Sequence, residues 1–176
     1  MTETLVSTQY EAPMGTLTLI ASDRGLRAIL WPNDTDDRMR VRLGPTESGD
    51  SPVLRETVRQ LDEYFSGERL TFDVSLDLAG TEFQVRVWQG LADVPYGRTT
   101  TYGEQAAHLG NAKATRAVAS ANGRNPVSII LPCHRIVGAD GTLTGFAGGI
   151  EWKAWLLDHE RKNLGLEPQW GENTLF

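Results

Sequence analysis

Apolar and polar positions follow one rhythm in the first half of the chain and another in the second. Residues 16–20 (Thr-Leu-Thr-Leu-Ile) and 26–30 (Leu-Arg-Ala-Ile-Leu) read as two strands joined through Asp23, Arg24 and Gly25, a hairpin. Residues 34–50 are polar and rich in turn formers, which predicts a loop of low order. A helix then opens at Ser51-Pro52, an N-cap followed by proline in the first turn. It carries Leu54, Val58, Leu61 and Phe65 on one face and stops at Gly67. Leu70, Phe72, Val74, Leu76 and Leu78 alternate with polar or small residues, the pattern of a strand with one buried face.

Past Ala79-Gly80 short helices take over, so the expected division is an N-terminal α/β domain over residues 1–79, a second domain over 80–162 and a loose tail over 163–176. Thr81 with Gln84, and Thr101 with Glu104, are capping boxes; the first opens a helix through Phe83, Val87, Trp88 and Leu91, and the second puts Tyr102 in the first turn of a helix ending at Gly110. After Gly110-Asn111 a third helix runs from about residue 112 to 121, so that helix, glycine turn and helix form the outline of a helix-turn-helix. Residues 127–131 read as a short buried strand delivering Pro132-Cys133-His134-Arg135. Ile136-Val137 and residues 142–144 flank the turn residues Ala139-Asp140-Gly141, a hairpin that would make the wing of a winged helix. The last helix, about 150–161, carries Trp152, Trp155, Leu156 and His159 along one stripe, with Glu160 on the same stripe.

Composition narrows the function classes. The chain has 176 residues, 40% of them hydrophobic and 23% charged, which fits a globular protein of one or two small domains. No apolar run approaches the ~18 residues of a membrane span. The first ten residues lack the basic start and apolar stretch of a signal peptide, so a cytoplasmic location is expected. The single cysteine, Cys133, excludes an internal disulfide and a multi-cysteine zinc site. The net charge of −6 would argue against a nucleic-acid partner if it were uniform, but it is not: residues 1–80 hold 8 Arg/Lys against 14 Asp/Glu, and residues 81–176 hold 9 against 9. Within 98–137 the one acid, Glu104, faces Arg98, Lys113, Arg116, Arg124 and Arg135. The small-residue helix Ala112-Lys113-Ala114-Thr115-Arg116-Ala117-Val118 could lie close against a partner and present Lys113 and Arg116 to phosphates, although alanine also favours helices without any such role.

A thiol reacts as thiolate, and an unperturbed one is only a few per cent ionised at neutral pH. His134 and Arg135 next to Cys133 supply a base and a positive charge, provided that a bridging water or a tight turn at Pro132 brings them to bear, because neighbours on an extended strand face opposite ways. Glu160 could orient the imidazole, completing a nucleophile, base and acid set.

These residues carry a family resemblance. Pro132-Cys133-His134-Arg135-Ile136-Val137 resembles the active-site motif of the O6-alkylguanine-DNA alkyltransferases, the methylated-DNA–protein-cysteine methyltransferases. The likeness runs in order through Gly80-Thr81-Glu82-Phe83-Gln84, Val87-Trp88-Gln89, Val94-Pro95-Tyr96-Gly97, Thr101-Tyr102, Arg116-Ala117-Val118, Asn125-Pro126, Trp155-Leu156-Leu157 and His159-Glu160. It implies an α+β protein of two domains: ribonuclease H-like at the N-terminus, a winged helix-turn-helix at the C-terminus. It implies minor-groove binding of double-stranded DNA, flipping of O6-alkylguanine, and irreversible transfer of the alkyl group to Cys133, extending to O4-alkylthymine.

The same resemblance assigns roles to single residues. A water, His134 and Glu160 would complete a relay from Cys133; Asn125 would brace the turn; Tyr102 would donate to guanine N3; and Arg116 would fill the vacated space in the duplex. Lys113, Ala114, Thr115 and Ala117 would line the DNA, and Tyr102, Ser128, Val137, Phe146 and Ala147 the base pocket. Arg135 would be structural. Phe146 stands where tyrosine is common in the family, Ala147 where serine is frequent, and Asn122 and Ser128 where some relatives have apolar residues. No metal or diffusible cofactor is expected, and the protein is expected as a monomer that could cluster on DNA. Two other readings compete: a non-catalytic sensor or regulator of alkylated DNA, and a cysteine hydrolase using Cys133, His134 and Glu160.

Overall fold

The computed structural model describes residues 4–32, 34 and 43–170. Packing divides the chain into two compact units, Met1–Gly80 and Thr81–Phe176.

In the first unit β1 (Leu5–Ala12), β2 (Gly15–Ala21), β3 (Leu26–Leu30) and β4 (Thr46–Ser48) form one sheet in the order β3-β2-β1-β4. The β2–β3 hairpin is present and antiparallel, and β1 adds antiparallel to β2 on its other side. Alternation puts Leu19 and Ile29 on one face and Ile20 and Ala28 on the other, and all four are buried, so the middle of the sheet is covered on both sides. The loop predicted over residues 34–50 is corrected in part, because Thr46–Ser48 pairs in parallel with β1; residues 35–42 lie outside the described residues.

Helix α1 (Pro52–Phe65) starts as its sequence requires: the Ser51 side chain accepts from the Leu54 N–H and proline occupies the first turn. Its buried face is Leu54, Thr57, Gln60, Leu61 and Tyr64, rotated from the predicted one; Val58 and Phe65 lie half-buried on its flank. The expected strand over 70–78 reduces to a single bridge between Leu26 and Leu76. The segment runs along α1 instead, where the Gln60 side chain accepts from the Asp73 N–H at 2.9 Å and Phe72 packs 5.4 Å from the Tyr64 ring. Gly25 permits the one close approach to the sheet, since a Cβ there would stand 2.7 Å from the Leu76 backbone.

The second unit consists of α2 (Glu82–Gly90), α3 (Tyr102–His108), α4 (Thr115–Gly123) and α5 (Ile150–Asn163), with a two-stranded parallel pair, β5 (Thr100–Thr101) and β6 (Ile136–Val137). The Thr81–Gln84 capping box is complete. Thr101 caps α3 by accepting from the Glu104 N–H. Gly110, at φ 84°, ends the connection from α3 in the left-handed region, and a 3-10 turn over Ala112–Ala114 leads into α4, so the helix-turn-helix stands. Trp88 of α2, fully buried, donates its indole N–H to the Ala121 carbonyl of α4 at 2.7 Å. Gln105 of α3 and Asn122 of α4 exchange two amide hydrogen bonds at 2.7 and 3.2 Å.

Four expectations for this unit are corrected. Residues 127–131 are a buried, tightly turned segment rather than a strand, with Leu131 N–H returning to the Val127 carbonyl at 3.0 Å. The 139–141 turn is closed by Gly138 N–H donating to the Thr142 carbonyl at 2.9 Å, but 142–144 form no strand and β6 pairs with β5. The buried face of α5 is Lys153, Ala154, Leu156, Leu157 and Glu160, and the Trp152, Trp155 and His159 rings lie half-buried beside it, Trp155 stacked on His159 at 4.9 Å. The supposed tail folds back: Asp158 accepts from the Gln169 and Trp170 N–H groups at 2.7 and 3.0 Å, and Trp170 joins Val137, Ala154 and Leu157 in a core cluster. Residues 171–176 lie outside the described residues. Among the described residues no helix is long and apolar enough to cross a membrane.

Because Trp170 is 9% exposed, Trp170→Ala should lower the unfolding free energy by about 3 kcal/mol, measured as a reduced urea midpoint.

Candidate active site

Cys133 begins a 3-10 turn, Cys133–Arg135, closed by the Arg135 N–H donating to the Pro132 carbonyl at 3.0 Å. The tight turn at Pro132 therefore exists, and it directs the three side chains differently from an extended strand. The cysteine is 7% exposed, and its Sγ lies 3.9 Å from the Ser128 hydroxyl oxygen.

The segment before the turn is braced by Asn125, fully buried. Its amide nitrogen donates to the Leu131 carbonyl at 2.8 Å and its amide oxygen accepts from the Val127 N–H at 3.0 Å. Between them Ile129 adopts φ 79°, a left-handed conformation that costs a β-branched residue roughly 1–2 kcal/mol. The Asn125 hydrogen bonds and the complete burial of the Ile129 side chain offset that strain.

Glu160, from the last turns of α5, meets the turn from below. Its carboxylate accepts from His134 Nε2 at 2.7 Å, from Arg135 Nε and Nη2 at 2.9 Å each, and from the Gly97 N–H at 3.1 Å. Arg135 spends its remaining nitrogen on the Val94 carbonyl at 2.7 Å and places its guanidinium 5.6 Å over the Tyr96 ring. Burial alone would push the Glu160 carboxyl up, but His134 and Arg135 outweigh it and hold the group well below the usual carboxylate range. For His134 burial wins over the pull of Glu160, and the pKa falls below its usual value. The imidazole is therefore neutral at neutral pH, with Nε2–H donating to the carboxylate and Nδ1 left with its lone pair. Nδ1 is buried and has no hydrogen-bond partner among the described residues.

The remaining predicted residues fall into two places. The β5–β6 pairing sets Val137 opposite Thr101, the cap of α3, and so brings the first residue of that helix, Tyr102, to the cysteine side of the unit. The Tyr102 hydroxyl lies 2.6 Å from Thr144 Oγ1, and burial raises its pKa. Phe146 stands 6.5 Å edge-on from the His134 ring, and Ala147 is half-buried beside it in sequence. Asn122 is engaged by Gln105. Lys113, Arg116 and Ala117 are exposed, with Ala114 and Thr115 half-buried on the same stretch of the helix-turn-helix.

Sequence reasoning missed Lys153. Its side chain is fully buried, its Nζ donates to the Thr144 carbonyl at 3.3 Å, and burial lowers its pKa to about 8, with Cys133 pulling the other way. The signal was the i, i+3, i+4, i+7 spacing of Lys153, Leu156, Leu157 and Glu160. A lysine at the head of that set reads as solvent-facing. Among the described residues no three His, Cys, Asp or Glu side chains converge as a metal site.

Glu160→Gln should cost about 3–5 kcal/mol by leaving Arg135 buried without its counter-charge, read from thermal or urea unfolding. The pH sign follows from linkage. Below about 6.5 the unfolded chain protonates His134 and the folded one resists, and below about 4.3 the unfolded chain protonates Glu160 while the folded carboxylate stays ionised, so both terms lower stability as pH falls. Thermal melts should lose midpoint as pH falls below about 7 through His134, and the further loss that begins below about pH 4.3 should be absent in Glu160→Gln.

Residues 82–162 match the family model of the 6-O-methylguanine DNA methyltransferase DNA binding domain, and residues 5–78 that of its ribonuclease-like domain. The methylated-DNA–protein-cysteine methyltransferase of Methanosarcina acetivorans is 44% identical over 151 residues, spanning 86% of this chain and 95% of its own. That of Mycobacterium leprae is 46% identical over 154 residues, spanning 88% and 91%. The crystal structure of Mycobacterium tuberculosis OGT in complex with DNA superposes with a TM-score of 0.78 at 43% identity, covering 91% of this chain and 94% of that one. The O6-methylguanine-DNA methyltransferase of Pyrococcus kodakaraensis, at 22% identity and a TM-score of 0.51, covers 89% of this chain and shares the fold. With both domains matched in order and relatives above 40% identity along most of its length, the chain belongs to the 6-O-methylguanine DNA methyltransferase family, the methylated-DNA–protein-cysteine methyltransferases.

Proposed function

We propose that this protein repairs duplex DNA by moving the alkyl group of O6-alkylguanine, methyl above all, onto Cys133, once per molecule. The observation that carries the reading is the state of His134: Nε2 is committed to Glu160, while Nδ1 is a buried acceptor without a partner among the described residues, on the turn that presents the only cysteine. An unsatisfied buried nitrogen costs about 1–3 kcal/mol, and such groups concentrate where chemistry uses them. Through a bridging water this nitrogen takes the thiol proton.

In the transfer the Sγ–carbon bond forms as the carbon–O6 bond breaks, and the electron pair of that bond goes to the guanine. A proton from the Tyr102 hydroxyl neutralises the leaving base at N3, and the proton from the thiol replaces it by way of His134 and water. The net exchange is one proton for one alkyl group. A thioether has no ready hydrolytic route back to thiol, so the reaction is stoichiometric. Asn125 holds the turn still during an in-line displacement that depends on alignment. The same chemistry extends to O4-alkylthymine.

Cys133 is buried, so the damaged base has to leave the stack to reach it, at a cost of a few kcal/mol. Lys113 and Arg116 are exposed where α4 begins, among the small side chains Ala114, Thr115 and Ala117, a surface suited to close approach in the minor groove. Arg116 takes the space that the base leaves. The pocket side chains Ser128, Val137, Phe146 and Ala147 then enclose the guanine, with Phe146 offering ring contact and no hydroxyl.

Duplex DNA carrying a labelled O6-methyl group should leave one equivalent of label on Cys133 and none on a Cys133→Ser protein. Equal labelling of both would refute the assignment. Arg116→Ala should slow repair of the duplex by about tenfold or more, ~1.4 kcal/mol of lost assistance, and leave reaction with free O6-benzylguanine near the wild-type rate. Equal losses on the two substrates would count against a flipping role.

A further inference from the structure

The segment that follows β6 is anchored through its backbone and its apolar side chain. Gly138 N–H donates to the Thr142 carbonyl at 2.9 Å, and Asp140 Oδ1 accepts from the Thr142 N–H at 3.1 Å and from its hydroxyl at 2.7 Å. Leu143 packs against the cluster of Val137, Ala154, Leu157 and Trp170, and the Thr144 carbonyl accepts from Lys153 Nζ at 3.3 Å. None of these anchors uses the Thr144 side chain. They fix its backbone and leave its hydroxyl to a separate task.

That hydroxyl meets Tyr102, the first residue of α3. Thr144 Oγ1 lies 2.6 Å from the Tyr102 hydroxyl across 42 positions of the chain, and among the described residues each of the two hydroxyls has the other as its one hydrogen-bond partner. Both residues are half-buried; burial raises the Tyr102 pKa, and the Thr144 hydrogen bond lowers it. Lys153 Nζ lies over the Tyr102 ring, 6.0 Å from its centre. Either oxygen of the pair can donate. With Tyr102 donating, the phenol proton is held by Thr144. With Thr144 donating, the phenol proton can point at a ligand, and the phenol oxygen keeps a donor as it gains charge.

Resting on Cys133 as the alkyl acceptor and Tyr102 as the proton donor, we propose that Thr144 is a positioning residue of the transfer: its hydroxyl directs the Tyr102 proton toward N3 of the bound guanine and donates to the phenol oxygen as that proton leaves. The Tyr102 O–H bond breaks as the N3–H bond forms, the electron pair stays on the phenol oxygen, and Thr144 keeps its own proton throughout. A hydrogen bond to a group gaining charge is stronger than one between neutral groups, so the contact tightens in the transition state. The threonine methyl takes no part, and a serine hydroxyl can do the same work.

Single-turnover transfer from a duplex labelled on the O6-methyl group is timed at saturating protein in wild type, Thr144→Val, Thr144→Ser, Tyr102→Phe and the Thr144→Val/Tyr102→Phe double variant. Thr144→Val should slow the chemical step by about tenfold, the size of one hydrogen bond to a group gaining charge, and leave affinity for the duplex unchanged. Thr144→Ser should transfer near the wild-type rate, and Thr144→Val should bring no further loss to the Tyr102→Phe protein. The 13C signal of Tyr102 Cζ, which responds to hydrogen bonding at the phenol oxygen, should move in Thr144→Val and stay in place in Thr144→Ser. A wild-type rate in Thr144→Val, or a loss as large without the Tyr102 hydroxyl as with it, overturns the proposal. Should the valine variant not fold, Thr144→Ala is read by the same outcomes. The reading beneath is scored apart. A Tyr102→Phe protein that transfers at the wild-type rate removes Tyr102 as donor and the proposal with it, and wild-type protein without label on Cys133 removes the alkyl acceptor and the proposal together. A slow Tyr102→Phe beside a fast Thr144→Val removes Thr144 alone.

Discussion

The second unit is organised around one buried carboxylate. Glu160 lies fully inside the protein, where an ionised carboxyl survives only if its oxygens are met by donors. His134, two nitrogens of Arg135 and the Gly97 backbone meet them, and in doing so they tie α5 to the 3-10 turn and to the loop after α2. One interaction thus sets the rotation of α5, the direction of the cysteine turn and the tautomer of the histidine. Arg135 neutralises the carboxylate, which lets the imidazole stay uncharged and keep a lone pair on Nδ1.

Around that centre the backbone is held under tension. The segment before Cys133 turns tightly with an isoleucine in the left-handed region, and Asn125 closes it with two hydrogen bonds. On the other side the two residue pairs of β5 and β6 tether the end of the turn to the cap of α3. Tyr102 follows Thr101, which this tether sets opposite Val137, four residues after Cys133, and its hydroxyl lies against Thr144. The rings of Trp152, Trp155 and His159 lie outside this arrangement, on the flank of α5, which is why their stripe predicted the wrong buried face.

The features legible in the sequence are local ones. Ser51, Thr81 and Thr101 cap helices because the donors they satisfy lie three residues on, and the β2–β3 hairpin follows from its own turn and alternation. The order Cys133, His134, Glu160, the brace at Asn125 and the expected donor Tyr102 are legible through the family resemblance. The misread elements share one cause. Alternation over 70–78 and the apolar run at 127–131 both describe burial, which a strand satisfies but so does a segment laid against α1 or a turn pinned by Asn125. Trp170 reads as part of a tail because its partners Val137, Ala154 and Leu157 are distant in the chain.

By itself the sequence determined the helix starts, the division of charge between the halves, the single thiol and the motif around it, since each is written in neighbouring residues or in a count. The tertiary structure alone decided which side of α5 is inside, that burial pulls the His134 pKa below its usual value, and that Lys153 lies inside the protein. Those depend on desolvation and on distances between groups far apart in the chain. A lysine's place in the sequence says that it can be charged, but only the packing around it says what that charge must answer.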